Sequence, residues 1–430
     1  MDFKKLPKGR LGRIANLASM GVKAGASLLK DKEGKNAAEH AAEVLGSMRG
    51  LAAKVGQMAS YVDGVVPDAQ KDAFEGALKK LRSMAPTSDP GEVREVVETT
   101  FEKKLEELYR EWDETPIASA SIGQVHRARL HDGTEVAVKV QHPGIDEAVE
   151  SDLSNAGLLE RMIATTAGSK FQTKEWLEVI RARFREELDY GLEAERQKRF
   201  ARLHEGDPHI RVPRVIDSHS GRRVITTEFV RGLDFEDAQR APDADRRQWA
   251  EALWRFVFKG TLVGQLFNAD PHPGNYIFQE GGRVAFLDYG CVQEIPKSNH
   301  KNAVRVHRAA LDGDRAAFHR ASIELMSMKP GPLADKALEY MDLNYQPLFE
   351  TPFRITRPYA ALMVERMTEM AKMARSLPPE HFFTMPPDMF FINRLQFGFY
   401  SVLARLDVDA DYKGTEEAFF PKSPSSVAHT

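Results

Sequence analysis

Residues 267–290 read FNADPHPGNYIFQEGGRVAFLDYG: a loop, a short strand, a Gly-Gly turn, a second short strand and a loop. Three oxygen-bearing side chains, Asp270, Asn275 and Asp288, stand in the loops at either end. Taken alone, DPHPGN is also a proline-stiffened turn with a capping asparagine, and DYG an ordinary connection between strands. The segments around them decide between these readings.

Upstream, SIGQVHRARL and TEVAVKVQ are two alternating runs joined by His131-Asp132-Gly133, a hairpin signal. In EVAVKVQ the alternation puts Val136, Val138 and Val140 on one face and Lys139 on the other with Ala137 and Gln141. A mid-strand lysine is costly unless its ammonium reaches an anion or water. Ahead of the hairpin, Ala118-Ser119-Ala120-Ser121-Ile122-Gly123 offers backbone N–H groups to phosphates as a glycine-rich loop does, with less freedom in φ. The helical segment from Lys174 sets Trp176, Ile180, Phe184 and Leu188 on an apolar stripe, and Glu186, Asp189 and Glu193 on another face. Either Arg185 and Arg196 neutralise those acids locally, or Glu193 pairs with Lys139; the spacing leaves both open.

Transfer of a phosphoryl group needs a clamp on the phosphates, a lysine, two oxygen ligands for magnesium and a carboxylate at the acceptor. One candidate for each occurs in order: the Ala/Ser loop, Lys139, Asn275 with Asp288, and Asp270. The spacing Asp-x-x-x-x-Asn reproduces the kinase catalytic loop, and Asp-Tyr-Gly stands where Asp-Phe-Gly does. Oxygen donors suit Mg²⁺.

The rest of the chain bounds this reading. Its 430 residues suffice for two to three packed units. With 60 basic against 63 acidic residues the net charge is −3, so nothing points to nucleic acid as a partner. A single cysteine, Cys291, excludes an internal disulfide and a cysteine-built zinc site, which suits the cytoplasm. No run approaches 18 apolar residues. The basic first 30 residues lack the apolar core of a signal peptide; they read as a solvated helix or frayed end, with peripheral contact to the inner face of a membrane as the other reading. Residues 36–111 have helical periodicity, Asp89-Pro90 opens a helix, helix is expected from Asp243 to Leu266 and again after Pro296, and the end of the chain reads as disordered.

In order along the chain, Lys54-Val55-Gly56-Gln57, Ala118-Ser119-Ala120-Ser121 running into Ile122-Gly123-Gln124-Val125-His126, Val138-Lys139, Glu187-Leu188-Asp189-Tyr190, Asp270-Pro271-His272-Pro273-Gly274-Asn275 and Asp288-Tyr289-Gly290 resemble the motifs of the AarF/UbiB (ADCK) atypical kinases. The resemblance covers about residues 35 to 410. It implies an α+β, protein-kinase-like two-lobed fold: a helical KxGQ extension over 1–115, an N-lobe over 116–232 and a helix-rich C-lobe over 233–412; composition adds a disordered tail over 413–430. It also implies that Lys54 and Gln57 occlude the site near Glu187 and Asp189, that Glu193 is the acid paired with Lys139, and that Thr227-Glu228-Phe229-Val230 links the lobes and binds adenine through the backbone of Glu228 and Val230. ATP or ADP with Mg²⁺ is the expected ligand set. Asn268-Ala269 stands where protein kinases carry His-Arg, and no Ala-Pro-Glu segment follows Gly290; the hydrophobic C-terminal anchor of some family members is not expected.

The resemblance suggests an atypical kinase or ATPase serving isoprenoid quinone (ubiquinone-type) or related lipid metabolism, with an isoprenoid lipid or quinone-biosynthesis proteins as partners. A second reading is a nucleotide-gated, non-catalytic binder of a lipid or partner. A third is a small-molecule phosphotransferase of the aminoglycoside or choline kinase type, whose His-Gly-Asp-x-x-x-x-Asn loop is similar to DPHPGN.

Overall fold

The computed structural model describes residues 87–120, 122–154, 182, 185–268, 270–376 and 398–420. Lys54, Gln57, Ser121, the basic N-terminal stretch and residues 421–430 lie outside them. The chain divides into two compact units, one running to Gly191 and including Ile216–Thr226, the other comprising Leu192–Val215 and the chain from Thr227 on.

The first unit opens with α1 (Pro90–Phe101), capped by Asp89, whose carboxylate accepts from the N–H groups of Gly91 and Glu92. Val93, Val96 and Val97, spaced three and four apart, form its buried face. The helix stops at Glu102, which takes a left-handed conformation (φ 54°), and a short α2 (Leu105–Leu108) follows. Next come β1 (Glu111–Trp112), β2 (Ala118–Ser119), β3 (Gly123–Arg129) and β4 (Glu135–Gln141). The expected hairpin is present: β3 and β4 pair antiparallel, with Lys139 opposite Val125, across a turn in which Asp132 accepts from Thr134 N–H. Val136, Val138 and Val140 are fully buried against the α1 valines, while Lys139 lies half-buried on the other face. Helix α3 (Ile145–Ser154) follows the hairpin.

Between the units the structure departs from the sequence reading. Glu186, Asp189 and Glu193 do not share one helix, because the chain leaves helical geometry at Leu188 and Asp189 before α4 (Tyr190–Leu203) begins. Long-range bonds cause the break: Leu188 C=O accepts from Gln141 Nε2 (2.8 Å), and Tyr190 N–H donates to Arg222 C=O (2.9 Å). The patch of strands after α4 is also split. β5 (Ile210–Arg211) runs parallel to a strand of the second unit, whereas β6 (Val224–Glu228) joins β4, giving the order β1-β3-β4-β6 with β2 on β3.

In the second unit, α5 (Phe235–Ala238) precedes the long α6 (Asp243–Leu262), which buries Trp249, Leu253, Trp254 and Phe256. Helix was expected as far as Leu266. Instead Gln265 turns left-handed (φ 52°) and Leu266 opens β7 (Leu266–Asn268). β8 (Tyr276–Phe278) and β9 (Val284–Phe286) form an antiparallel pair around Gly281 and Gly282, both at positive φ, and β10 (Val292–Glu294) returns to pair with β7. Helices α7 (Lys297–Leu311), α8 (Arg315–Met326), α9 (Pro332–Asn344) and α10 (Gln346–Phe349) follow. β11 (Phe353–Arg354), α11 (Arg357–Ser376), a helix at 398–406, β12 (Asp409–Ala410) and α12 (Tyr412–Glu417) complete the unit. Residues 413–420 are therefore structured and not a disordered tail: the fully buried Glu416 accepts from Trp254 Nε1 (2.9 Å) and pairs with His307 Nδ1 (2.9 Å). Among the described residues no helix is long and apolar enough to cross a membrane.

An aromatic column holds α4, α6 and β9 together. Phe200 stacks on Phe256 (5.1 Å between centroids), Phe256 on Phe286 (3.6 Å), and His204 on Phe256 (5.2 Å). Neither ring nitrogen of the buried His204 has a hydrogen-bond partner among the described residues. Burial, aided by the nearby Lys259, pushes this imidazole from its ordinary 6.5 down to about 3. The folded state therefore needs His204 neutral, whereas the unfolded chain takes up a proton below pH 6.5. Its contribution is complete above 6.5 and drains away as pH falls toward about 3. His204→Phe should flatten the pH dependence of the urea midpoint across that window, where the native protein loses on the order of a few kcal/mol; an unchanged slope would refute the assignment.

Candidate active site

Asn268, the last residue of β7, ties the two loops of the DPHPGN–DYG stretch together. Its Nδ2 donates to Asp288 C=O (2.8 Å), and its Oδ1 accepts from Asp270 N–H (3.3 Å). The loop then closes on itself: His272 N–H donates to Asp270 C=O (2.8 Å), Asn275 N–H to His272 C=O (2.9 Å), and Gly274 N–H to His272 Nδ1 (3.0 Å). Pro271 and Pro273 have no N–H to satisfy, so this tight turn leaves no donor stranded at either position. Asn275 Nδ2 donates to Asp270 C=O (3.1 Å), which commits the nitrogen end of the amide and leaves Oδ1 as the donor atom it can offer a cation.

Asp270, Asn275 and Asp288 line one cleft with Asn268, Phe256 and Phe286. Among the described residues no three His, Cys, Asp or Glu side chains form a metal cage. An amide oxygen and a carboxylate nevertheless fit Mg²⁺, which takes one or two protein oxygens and fills its octahedron with phosphate and water.

The Asp-Tyr-Gly segment is held from behind. Tyr289 is fully buried, donates its hydroxyl to Phe286 C=O (3.0 Å), and packs on Phe200 of α4 (5.3 Å). Burial, with the Asp288 charge, pushes its phenol well above the usual range. Gly290 N–H donates to Asp288 Oδ1 (2.9 Å), and Gly290 C=O accepts from Arg196 Nη1 (2.9 Å) on α4. Glu193, buried one turn earlier, brings its Oε2 within 3.8 Å of the point where a side chain on Gly290 would begin.

In the first unit, the Lys139 ammonium stands over the ring of Tyr190 at 5.0 Å, and Gln141, two residues on and on the same face, holds Leu188 C=O. These bonds fix the Glu187–Tyr190 segment against β4. Ala118 and Ser119 are β-strand, paired with Val125 and Gln124, and the turn closes through Ala120 N–H to Gly123 C=O (2.8 Å). Gly123 is required by close approach: a Cβ there would lie 2.4 Å from the Tyr190 hydroxyl and 2.5 Å from Val140 C=O. In the second unit, Glu228 N–H donates to Arg214 C=O (3.0 Å), and its carboxylate accepts from Arg214 Nε (3.1 Å).

Lys139, Glu187 and Asp189 belong to the first unit, and Glu193, Glu228, Val230, Asp270, Asn275 and Asp288 to the second. Asn268, Arg196, Tyr190 and Gln141 were not singled out from the sequence as site-forming residues. Each nonetheless left a signal: Asn268 stands where a kinase carries histidine, Arg196 lies beside the acidic residues, Tyr190 closes the Glu187–Tyr190 motif, and Gln141 is an uncharged polar residue on the Lys139 face of a strand. Gly123→Ala should cost about 1–3 kcal/mol of stability through overpacking, read as a drop in urea midpoint. Asn268→Ala should cost about as much by stranding a donor and an acceptor. An unaltered midpoint in either variant would contradict the corresponding contact.

The ABC1 atypical kinase-like domain model matches residues 80–322. Among curated proteins, the chain is 29% identical over 345 residues to atypical kinase COQ8B, mitochondrial, of Danio rerio, covering 75% of this chain and 54% of that protein. It is 28% identical over 341 residues to the Rattus norvegicus COQ8B, covering 75% and 64%. It is 31% identical over 299 residues to the uncharacterized protein Rv0647c of Mycobacterium tuberculosis, covering 66% and 60%. The chain thus spans between about half and two thirds of the length of these relatives. Among solved structures, the Rv3197–erythromycin complex from Mycobacterium tuberculosis superposes with a TM-score of 0.61 at 25% identity, covering 95% of this chain and 98% of that one. The chain belongs to the ABC1 atypical kinase-like family, the AarF/UbiB group, and has its α+β protein-kinase-like fold.

Proposed function

We propose that this protein is an ATP- and Mg²⁺-dependent atypical kinase or ATPase acting in isoprenoid quinone or related lipid metabolism and not on proteins. The observation that carries the proposal is the single cleft lined by Asp270, Asn275 and Asp288 and braced by Asn268. Bound MgATP supplies the transferable phosphoryl group. In this reading Asn275 Oδ1 and the Asp288 carboxylate hold the metal, and Asp270 accepts the proton of the acceptor hydroxyl. Lys139 balances phosphate charge and is oriented by Glu193. The backbone of Ala118–Ser121 cradles the phosphates, and Glu228 C=O with Val230 meets adenine. Residues 116–232 then form the nucleotide lobe and 233–412 the lobe with the catalytic and metal loops. Lys54 and Gln57, outside the described residues, are assigned the occluding role together with Glu187 and Asp189, which would keep turnover slow.

The lipid assignment rests on the family resemblance and on relatives named COQ8. A second reading, a nucleotide-gated binder of an amphipathic small molecule, is favoured by the fold neighbour that is described in complex with erythromycin. Asp270→Asn separates them. As an enzyme, the variant should bind MgADP within about threefold of the native protein by calorimetry yet lose on the order of 10²-fold or more in ATP turnover, and with it any role in cells. Retention of the cellular role would select the binder, and a native protein that bound no adenine nucleotide with or without Mg²⁺ would end both readings.

A further inference from the structure

A buried polar chain in the first unit is used by none of the roles above. Ser88, just before the cap of α1, is held twice: its N–H donates to Gln124 Oε1 (2.8 Å), and its Oγ meets His142 Nδ1 (2.8 Å). His142 in turn holds the Ala/Ser turn at two points. Its Nε2 donates to Ala120 C=O (3.0 Å), since a carbonyl can only accept, and its backbone N–H donates to Ile122 C=O (2.9 Å). From Gln124 the chain continues through Nε2 to His126 Nε2 (2.8 Å), and from His126 Nδ1 to Asp113 C=O (2.7 Å). Gln124, His126 and His142 are each no more than 2% exposed, and Ser88 is 8% exposed. Buried polar groups persist where every member is satisfied, and a satisfied chain is stiff.

Ala118 and Ala120 are exposed and carry only methyl side chains, so neither gives the turn an apolar anchor. The backbone carbonyls of Ala120 and Ile122 are what the protein grips, and the same residue, His142, grips both.

We propose that His142, seated by Ser88, is the positioning residue of the Ala118–Gly123 phosphate loop, so that the start of α1 and the loop move as one body. The inference rests on the nucleotide-loop reading and deepens it: the shape that a glycine-rich loop gains by wrapping its ligand is here preset by the side chain of the residue that follows β4.

Hydrogen–deuterium exchange of the full-length protein without nucleotide tests the contact directly, and MgADP calorimetry tests its consequence. In His142→Leu, amides of 118–123 should exchange about tenfold faster while those of α6 keep the native rate, and MgADP affinity should fall about tenfold. His142→Gln keeps a side-chain N–H for Ala120 C=O and should recover most of both. Ser88→Ala leaves that bond but unseats the ring, and should give a smaller change of the same kind. Native exchange at 118–123 in His142→Leu, or damage in His142→Gln equal to that in His142→Leu, would overturn the proposal. If His142→Leu does not fold, Ser88→Ala decides, because unchanged loop exchange there is equally fatal. If the native protein binds no MgADP, the nucleotide reading falls while the exchange arm still judges the strut.

Discussion

The column Phe200–Phe256–Phe286, with Tyr289 against Phe200, is the contact on which the geometry of the second unit depends. Each ring comes from a different place in the chain: α4, α6, the end of β9 and the Asp-Tyr-Gly segment. Asp288 lies between two of them, Phe286 and Tyr289, both almost wholly buried. A carboxylate flanked in this way has little freedom to move, because shifting it would expose an aromatic ring on one side or the other. Aromatic pairs add about 0.5–1.5 kcal/mol each beyond the area they bury, enough to make one arrangement of the loop dominate. Asn268 then transmits that position to Asp270 through two hydrogen bonds, and Arg196 fixes Gly290 to α4.

The first unit solves a different problem, how to keep a lysine on a buried sheet. Val136, Val138 and Val140 fill the core beneath β4, which leaves Lys139 and Gln141 facing the other way. Gln141 satisfies its amide with Leu188 C=O, and the ammonium lies over the Tyr190 ring, so the Glu187–Tyr190 segment is both the cover of the strand and its polar partner. Gly123 is small because the Tyr190 hydroxyl needs the room.

How much of this could be read in advance varied with the range of the force involved. The β3–β4 hairpin was plain, since alternation of valine and the Asp132-Gly133 turn are local. The cap at Asp89 and the short strands on either side of Gly281-Gly282 were equally plain. The acidic face of Glu186, Asp189 and Glu193 was not, because a helical stripe assumes a continuous helix, and this one is interrupted by bonds from Gln141 and Arg222. Residues 413–420 misled for a similar reason: a polar segment looks disordered until Glu416 finds Trp254, 162 residues away.

By itself the sequence determined the kinds of element, the faces that would be buried and the chemical identity of the candidate site: a strand lysine, a loop aspartate and asparagine, and a second aspartate before Tyr-Gly. Those properties follow from residue type and spacing within one segment, where periodicity and turn chemistry act. Only the tertiary structure decided that Asn268 would join the two loops, that β5 and β6 would enter different sheets, and that His142 would hold the Ala120 turn. Each of these depends on which buried donor meets which acceptor, a choice made by packing between segments far apart in the chain and invisible to any local pattern.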